Sequence, residues 1–385
     1  MDTIYRTLGE VAIYVNGRAF KPTEWESTGL PIIRIQNLTD NNAKFNYSSA
    51  AHEEKYLIHH GDLLFAWSAS LGAHIWQGKD AWLNQHIFHV IPNEHIDKMY
   101  LYYFLGQVVA ELYGKTHGSG MVHITKAPFM ATRIPVPPLD EQQRIVARIE
   151  ELFSELDNGV ETLQKTKQQL AVYRKAILKQ AFAPGLEWGK KYAWEIGEIN
   201  LGRQRSPKNV SKDYPTKYIR AANITENGLA LDDILEMEFN PQEREKYYLQ
   251  YGDIVISEAS GSATQVGKPA LWKNEIHDCC FQNTVIRHRI NNQHPEYVFW
   301  FYKYLYITGY FSKIVGGVGI NHLGAKNFSN IMIDVAPYEL QLGIVDKIEA
   351  SMSVCDSIEK TVDTALQQAD AIRQSILKQA FEGRL

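Results

Sequence analysis

Pro138-Leu139-Asp140-Glu141-Gln142-Gln143-Arg144-Ile145-Val146 opens a stretch that closes with Ala176-Ile177-Leu178-Lys179-Gln180-Ala181-Phe182. Both ends return 199 positions later, as Pro337-Tyr338-Glu339-Leu340-Gln341-Leu342-Gly343-Ile344-Val345 and Ser375-Ile376-Leu377-Lys378-Gln379-Ala380-Phe381. The two copies align without a gap, and a length held between copies reads as a ruler. Ile145, Ile149, Leu152, Leu156, Val160, Leu163, Leu170, Tyr173 and Ile177 recur mostly at three- and four-residue steps. Ile344, Ile348, Met352, Cys355, Val362, Leu366, Ala369, Ile372 and Ile376 do the same. This spacing predicts two long helices with an apolar seam, the pattern of a coiled-coil pair. Pro138 and Pro337 suit a first helical turn, and Asp140, Glu141 and Glu339 sit near the positive end of the helix dipole. Pro184-Gly185 stops the first helix. Each would be roughly 65 Å long at 1.5 Å per residue. By itself such a seam fits a core hairpin or a dimerisation coil equally well.

The rest of the chain repeats with the helices. Leu8-Gly9-Glu10-Val11 is answered by Ile196-Gly197-Glu198-Ile199, and the strand with Arg34 and Asn37 by the strand with Arg220 and Asn223. Gly61-Asp62 before a buried strand is answered by Gly252-Asp253, and the strand from Gln85 by the strand from Gln282. Helical spacing over 97–113 is answered over 296–310. Glycine-rich loops follow at Gly118-Ser119-Gly120 and Gly316-Gly317-Val318-Gly319, each with a histidine, His123 and His322. The reading is α+β: a mixed globular head over 1–137, a spacer helix over 138–186, a second head over 187–336 and a second spacer helix over 337–385. If the helices pack antiparallel, the repeat is a pseudo-twofold and the C-terminus returns to the first head.

Composition narrows the class. The 385 residues suffice for two or three domains, and the net charge of -4 argues against a simple basic nucleic-acid binder. Three cysteines, Cys279, Cys280 and Cys355, give neither a disulfide framework nor a zinc pattern. No apolar run of about 18 residues predicts a membrane span, and the N-terminus does not read as a signal peptide. A cytoplasmic protein is expected.

This architecture resembles the specificity subunit of type I restriction-modification systems. The resemblance covers nearly the whole chain. It rests on the Pro-Leu-x-Glu-Gln-x-x-Ile-Val pattern at Pro138 to Val146, its degenerate copy at Pro337 to Val345, and the Ile-Leu-Lys-Gln-Ala-Phe closes. Leu340 and Gly343 depart from Glu141 and Arg144 of the first copy. The resemblance implies two target recognition domains, each reading half of a split double-stranded DNA sequence, with the helices fixing the unread gap. It implies a non-catalytic chain partnered by two methyltransferase subunits and by restriction subunits that translocate DNA. It implies no cofactor here: S-adenosylmethionine would belong to the methyltransferase, ATP and Mg to the restriction subunit.

Base reading needs polar side chains in loops beyond the shared strands. The candidates are Arg18, Lys21, Lys115, His117, Ser119 and Lys126 in the first head. In the second they are Arg203, Arg205, Lys208, Ser260, Ser262, Gln265, Lys268, Lys313, Asn321 and Lys326. Arg34, Asn37, Arg220 and Asn223 recur in both heads, which favours a structural or phosphate-directed role. The glycine loops could approach phosphate through backbone N–H groups or serve as plain connectors. His123 and His322 read as hydrogen-bonded structural histidines. Gly261 to Lys268 mimics a phosphate loop, but Pro269 stands where a Ser or Thr should bind Mg²⁺. Asp40, Glu53 and Lys55 could mimic a nuclease metal site, yet the pattern is absent from the second head. Two rivals remain: a hydrolase with a repeated site, and an adaptor whose heads bind protein.

Overall fold

A computed structural model describes residues 4–40, 42–115, 126–182, 188–204, 214–315 and 321–385, with the side chains of 111–115 left out. The chain divides into two compact units, Met1–Gln164 with Asp363–Leu385, and Lys165–Val362. Each combines a mixed α/β head with segments of two long helices, Leu139–Ala181 and Tyr338–Phe381. No helix among the described residues is long and apolar enough to cross a membrane.

In the first unit an antiparallel sheet runs in the order Ala12–Asn16, Ile87–Pro92, Leu63–Ala66, Gly72–Ile75. A second sheet runs Asn46–Ser48, Leu30–Ile33, Ala81–Leu83, Leu57–Ile58, with its middle pair parallel. Leu63–Ala66 is buried along its whole length, as expected of a strand covered on both faces. The turn before it needs Gly61 at φ 87°, a conformation open to glycine. Asp62 closes that turn by accepting the His59 N–H at 2.7 Å.

The second unit repeats this order. Gly197–Leu201, Val285–Ile290, Ile254–Ser257 and Pro269–Leu271 form its antiparallel sheet, and Leu235–Glu238, Pro215–Ile219 and Cys280–Phe281 its mixed one. Gly252 has φ 86°, and buried Asp253 accepts the Gln250 N–H at 2.8 Å while forming a two-point ion pair with Arg289. His288 lies inside this core with Tyr302 Oη 2.8 Å from its Nδ1, and burial pushes its pKa down to about 3, so it stays neutral.

The expected strands around Arg34 and Arg220 are shorter than their apolar pattern suggests. They end at Ile33 and Ile219, and each arginine begins a short helix. The cause is the following asparagine. Asn37 Oδ1 accepts the Arg34 N–H at 3.0 Å and Asn223 Oδ1 accepts the Arg220 N–H at 3.0 Å, while each Nδ2 donates to two backbone carbonyls. A short amide side chain that bonds its own backbone turns the chain.

Each head holds two helix segments, and the same contacts do so in both units. In the first, the Tyr100 hydroxyl donates to Pro135 O at 2.9 Å, and Phe381 packs edge-on against Tyr100 and Phe104 at 5.0 and 5.1 Å. In the second, the Tyr297 hydroxyl donates to Asp334 O at 2.8 Å, and Phe182 packs against Tyr297 and Phe301 at 5.6 and 5.3 Å. The closing Phe of each helix repeat is therefore an anchor in a head core. Burying one such ring contributes about 2 to 3 kcal/mol.

The helix segments run antiparallel within each unit. In the first, Val146 and Ile149 share a core with Leu377 and Ala380, and Asp157 pairs with Arg373. In the second, Leu178 shares a core with Val345 and Ile348, and Arg174 meets Asp356 and Glu359 at 2.6 and 2.7 Å. Two members of the expected seam point outward instead: Tyr173 is 55 % exposed and Ile372 49 %. Their neighbours Arg174 and Arg373 turn inward, because an acidic residue on the facing helix pairs with each. These pairs are partly solvated and contribute at most about 1 kcal/mol each, so they set register more than stability.

Gln142 and Gln341 occupy the same place in the repeat, and both are fully buried. Gln142 accepts the Asp97 N–H at 2.8 Å and donates to His95 O at 2.9 Å and Pro137 O at 2.7 Å. Gln341 accepts the His294 N–H at 3.0 Å and donates to Ala336 O at 2.9 Å and Gln293 Oε1 at 2.5 Å. The departures in the second copy lie on the outer face. Glu141 and Arg144 form an exposed ion pair at 2.9 Å, where Leu340 is exposed and Gly343 has open space around it.

Candidate nucleic-acid interface

The two arginines that follow the strands Ala12–Asn16 and Gly197–Leu201 are alike. Gly17 and Gly202 lie so close to backbone that an added Cβ would stand 2.2 Å from Asn84 O and from Gln282 O. Only glycine permits this approach. Arg18 then pairs with Glu24 and lies 4.7 Å over the Phe20 ring. Arg203 pairs with Glu243 at 2.7 Å, donates to Glu238 O and lies 5.3 Å over Phe239. Its side chain is only 12 % exposed. Arg203 is thus engaged inside its own head, whereas Arg18 uses Nη2 for Glu24 and leaves Nη1 without a hydrogen-bond partner among the described residues. The repeated Gly-Arg dipeptide was the available sequence signal for this.

In the second head several candidates come together. Ala259–Ser260 and Asn321–His322 pair as a two-stranded antiparallel ribbon, with Ser260 opposite Asn321. Ser260 Oγ accepts the Ser262 N–H at 3.2 Å, and Ser262 Oγ lies 2.9 Å from Thr264 Oγ1. Gln265 ends the following short turn and accepts from Lys268 Nζ at 2.6 Å. Lys268 is buried, so of the two only Gln265 is near solvent. Gly267, at φ 81°, leaves room for Phe311, which an added Cβ would meet at 2.2 Å. That approach seats the short helix Tyr310–Ile314, which carries exposed Lys313. Lys326 is exposed on the short helix Ala325–Ser329.

In the first head Lys21 is exposed at the start of a short turn, Pro22–Glu24. The Lys21 N–H and then Arg18 hold the Glu24 carboxyl below its usual range. Lys126 is exposed, with its ammonium 5.7 Å over Phe88. Lys115, His117, Ser119, Arg205 and Lys208 lie outside the described side chains, as do His123 and the two glycine loops. The ribbon makes His322 a hydrogen-bonded residue: its Nδ1 lies 3.1 Å from Glu258 Oε2.

The residues that resembled a nuclease site have local partners. Asp40 accepts the Asn42 N–H at 2.8 Å, and Glu53 pairs with Lys55 at 2.6 Å. Among the described residues no group of three His, Cys, Asp or Glu is placed to hold a metal ion. Burial pushes the Cys279 and Cys280 thiols up to about 12, which keeps them protonated and unreactive at neutral pH.

A family model for the type I restriction modification DNA specificity domain matches residues 2–170 and again residues 186–368. The chain belongs to this family. The curated type I restriction enzyme EcoBI specificity subunit of Escherichia coli is 24 % identical over 98 % of this chain and 85 % of its own length. Among solved structures, a chain described under complex assembly and conformational transition of the type I R-M system superposes with a TM-score of 0.75 at 20 % identity, covering 99 % of this chain and 98 % of that one. The HsdS subunit from Thermoanaerobacter tengcongensis superposes with a TM-score of 0.57 at 19 % identity, covering 99 % and 97 %. At such identities the superpositions speak for the fold. As a specificity subunit, the chain carries two DNA-recognition domains of the same frame, and their differences are where recognition must be sought.

Proposed function

We propose that this specificity subunit reads a two-part double-stranded DNA target, one half per head, and positions two methyltransferase subunits and the restriction subunits on it. The chain performs no chemistry of its own. S-adenosylmethionine belongs to the methyltransferase, and ATP with Mg to the restriction partner. The long helices set the unread gap between the half-sites.

One observation carries this reading. The frame residues Asn37/Asn223, Tyr100/Tyr297 and Gln142/Gln341 make the same bonds in both heads, whereas the loops beyond the sheets differ. One frame with two unlike surfaces suits two unlike half-sites. With a net charge of -4, much of the phosphate affinity must come from partner subunits.

The complex with the cognate methyltransferase should bind duplex DNA, with affinity falling by about tenfold or more between 50 and 200 mM salt, as counterion release requires. Titration of a fluorescent duplex measures this. A stable complex with no duplex affinity at low salt would favour the protein-adaptor reading.

A further inference from the structure

We propose that Glu258 is a positioning residue for base reading by the second head: it sets the pose of the ribbon that presents Ser260 and Asn321, acting through His322. This rests on the DNA-reading function proposed above.

Glu258 is 7 % exposed and follows directly on the strand Ile254–Ser257. A buried carboxylate is costly unless it is paired and hydrogen-bonded. Glu258 is satisfied by the far side of the ribbon. His322 Nδ1 lies 3.1 Å from Oε2 and 3.3 Å from Oε1, and the Gly324 N–H donates to Oε1 at 3.3 Å. Its backbone ties in the same segments: the Leu323 N–H donates to Glu258 O at 2.9 Å, and the Glu258 N–H donates to Thr284 O at 2.8 Å. One residue therefore joins the central strand, the ribbon and the segment 282–284.

Among the described residues the ribbon pairs Ala259–Ser260 with Asn321–His322, and the Glu258 side chain and backbone add bonds at its base. The Asn321 side chain is half-buried and makes no hydrogen bond to another described residue. An asparagine amide suits the N6/N7 edge of adenine, and a two-stranded ribbon fits the major groove.

Glu258 also differs between heads, unlike the frame residues. Counting from the shared Gly-Asp turn, the first head has Trp67 at this place, edge-on to His86 at 5.3 Å. The carboxylate at this place is thus particular to the second head, as its half-site would be.

The test uses the full chain, co-expressed with its methyltransferase, and maps adenine methylation for the wild type, Glu258→Ala, Glu258→Gln and His322→Ala. His322 is half exposed, so its loss disturbs the core less than loss of Glu258 and leaves the carboxylate the Gly324 N–H. Glu258→Ala and His322→Ala should relax the base requirement within the second head's half-site by roughly 5- to 100-fold, the range for one base contact, and leave the other half-site strict. Glu258→Gln, which keeps an acceptor for the Gly324 N–H, should relax it less. A wild-type motif that stays strict in His322→Ala, or that weakens equally in both halves, overturns the role of Glu258. A wild type with no two-part motif overturns the DNA-reading function itself.

Discussion

Replacing Gln142 by leucine should destabilise the first unit by about 3 to 6 kcal/mol. Leucine fills a similar volume but leaves the Asp97 N–H and the His95 and Pro137 carbonyls without their partner. The three groups are part-buried, so each orphan costs about 1 to 2 kcal/mol, against a total stability of about 5 to 15 kcal/mol. Asp97 makes the loss worse, because its Oδ1 caps the helix Lys98–Lys115 by accepting from Met99 and Tyr100 at 2.8 and 2.9 Å. Denaturant unfolding compares the variant with Gln143→Leu, an exposed neighbour that should change stability by less than about 0.5 kcal/mol. Equal midpoints for the two variants would mean that the buried glutamine does not tie head to helix.

Removing 158–164 together with 357–363 should shorten the unread DNA gap by about 3 base pairs. A helix climbs 1.5 Å per residue, so seven residues are about 10 Å, and duplex DNA rises 3.4 Å per base pair. The two excised stretches are equivalent in the repeat, and seven residues are close to two full turns. The outward and inward faces of each helix are therefore kept. The head anchors Gln142, Gln341, Phe182 and Phe381 are untouched. Both half-sites should survive unchanged in methylation maps of the variant. Two intact half-sites at the original spacing would remove the helices from their role as ruler.

The repeat made the architecture legible before any coordinates. Gapless alignment of the helix ends required equal lengths, and the helices span 43 and 44 residues. The Gly-Asp turns were legible because only glycine tolerates their backbone. Tyr173 and Ile372 misled because the three- and four-residue rhythm ignores charge. An arginine next to each satisfies an acid on the opposite helix, and that pairing rotates the apolar neighbour outward. The carboxylate partners of Arg18 and Arg203 were hidden for a related reason. A basic residue in a loop invites a DNA reading, but its carboxylate partner stands 6 and 40 positions away and cannot be assigned from sequence. Glu258 was invisible for the same cause, since it meets His322 from 64 positions away. Gln142 belongs to the Pro138–Val146 pattern, yet its burial follows from three-dimensional closure of head on helix.

Two unlike heads on one spacer should read two unlike half-sequences. Co-expression of the native chain with its methyltransferase, followed by genome-wide mapping of N6-methyladenine, tests it directly. The account predicts a single motif with two different halves around a fixed gap. A continuous motif, or two identical halves, from a fully methylating complex would contradict it.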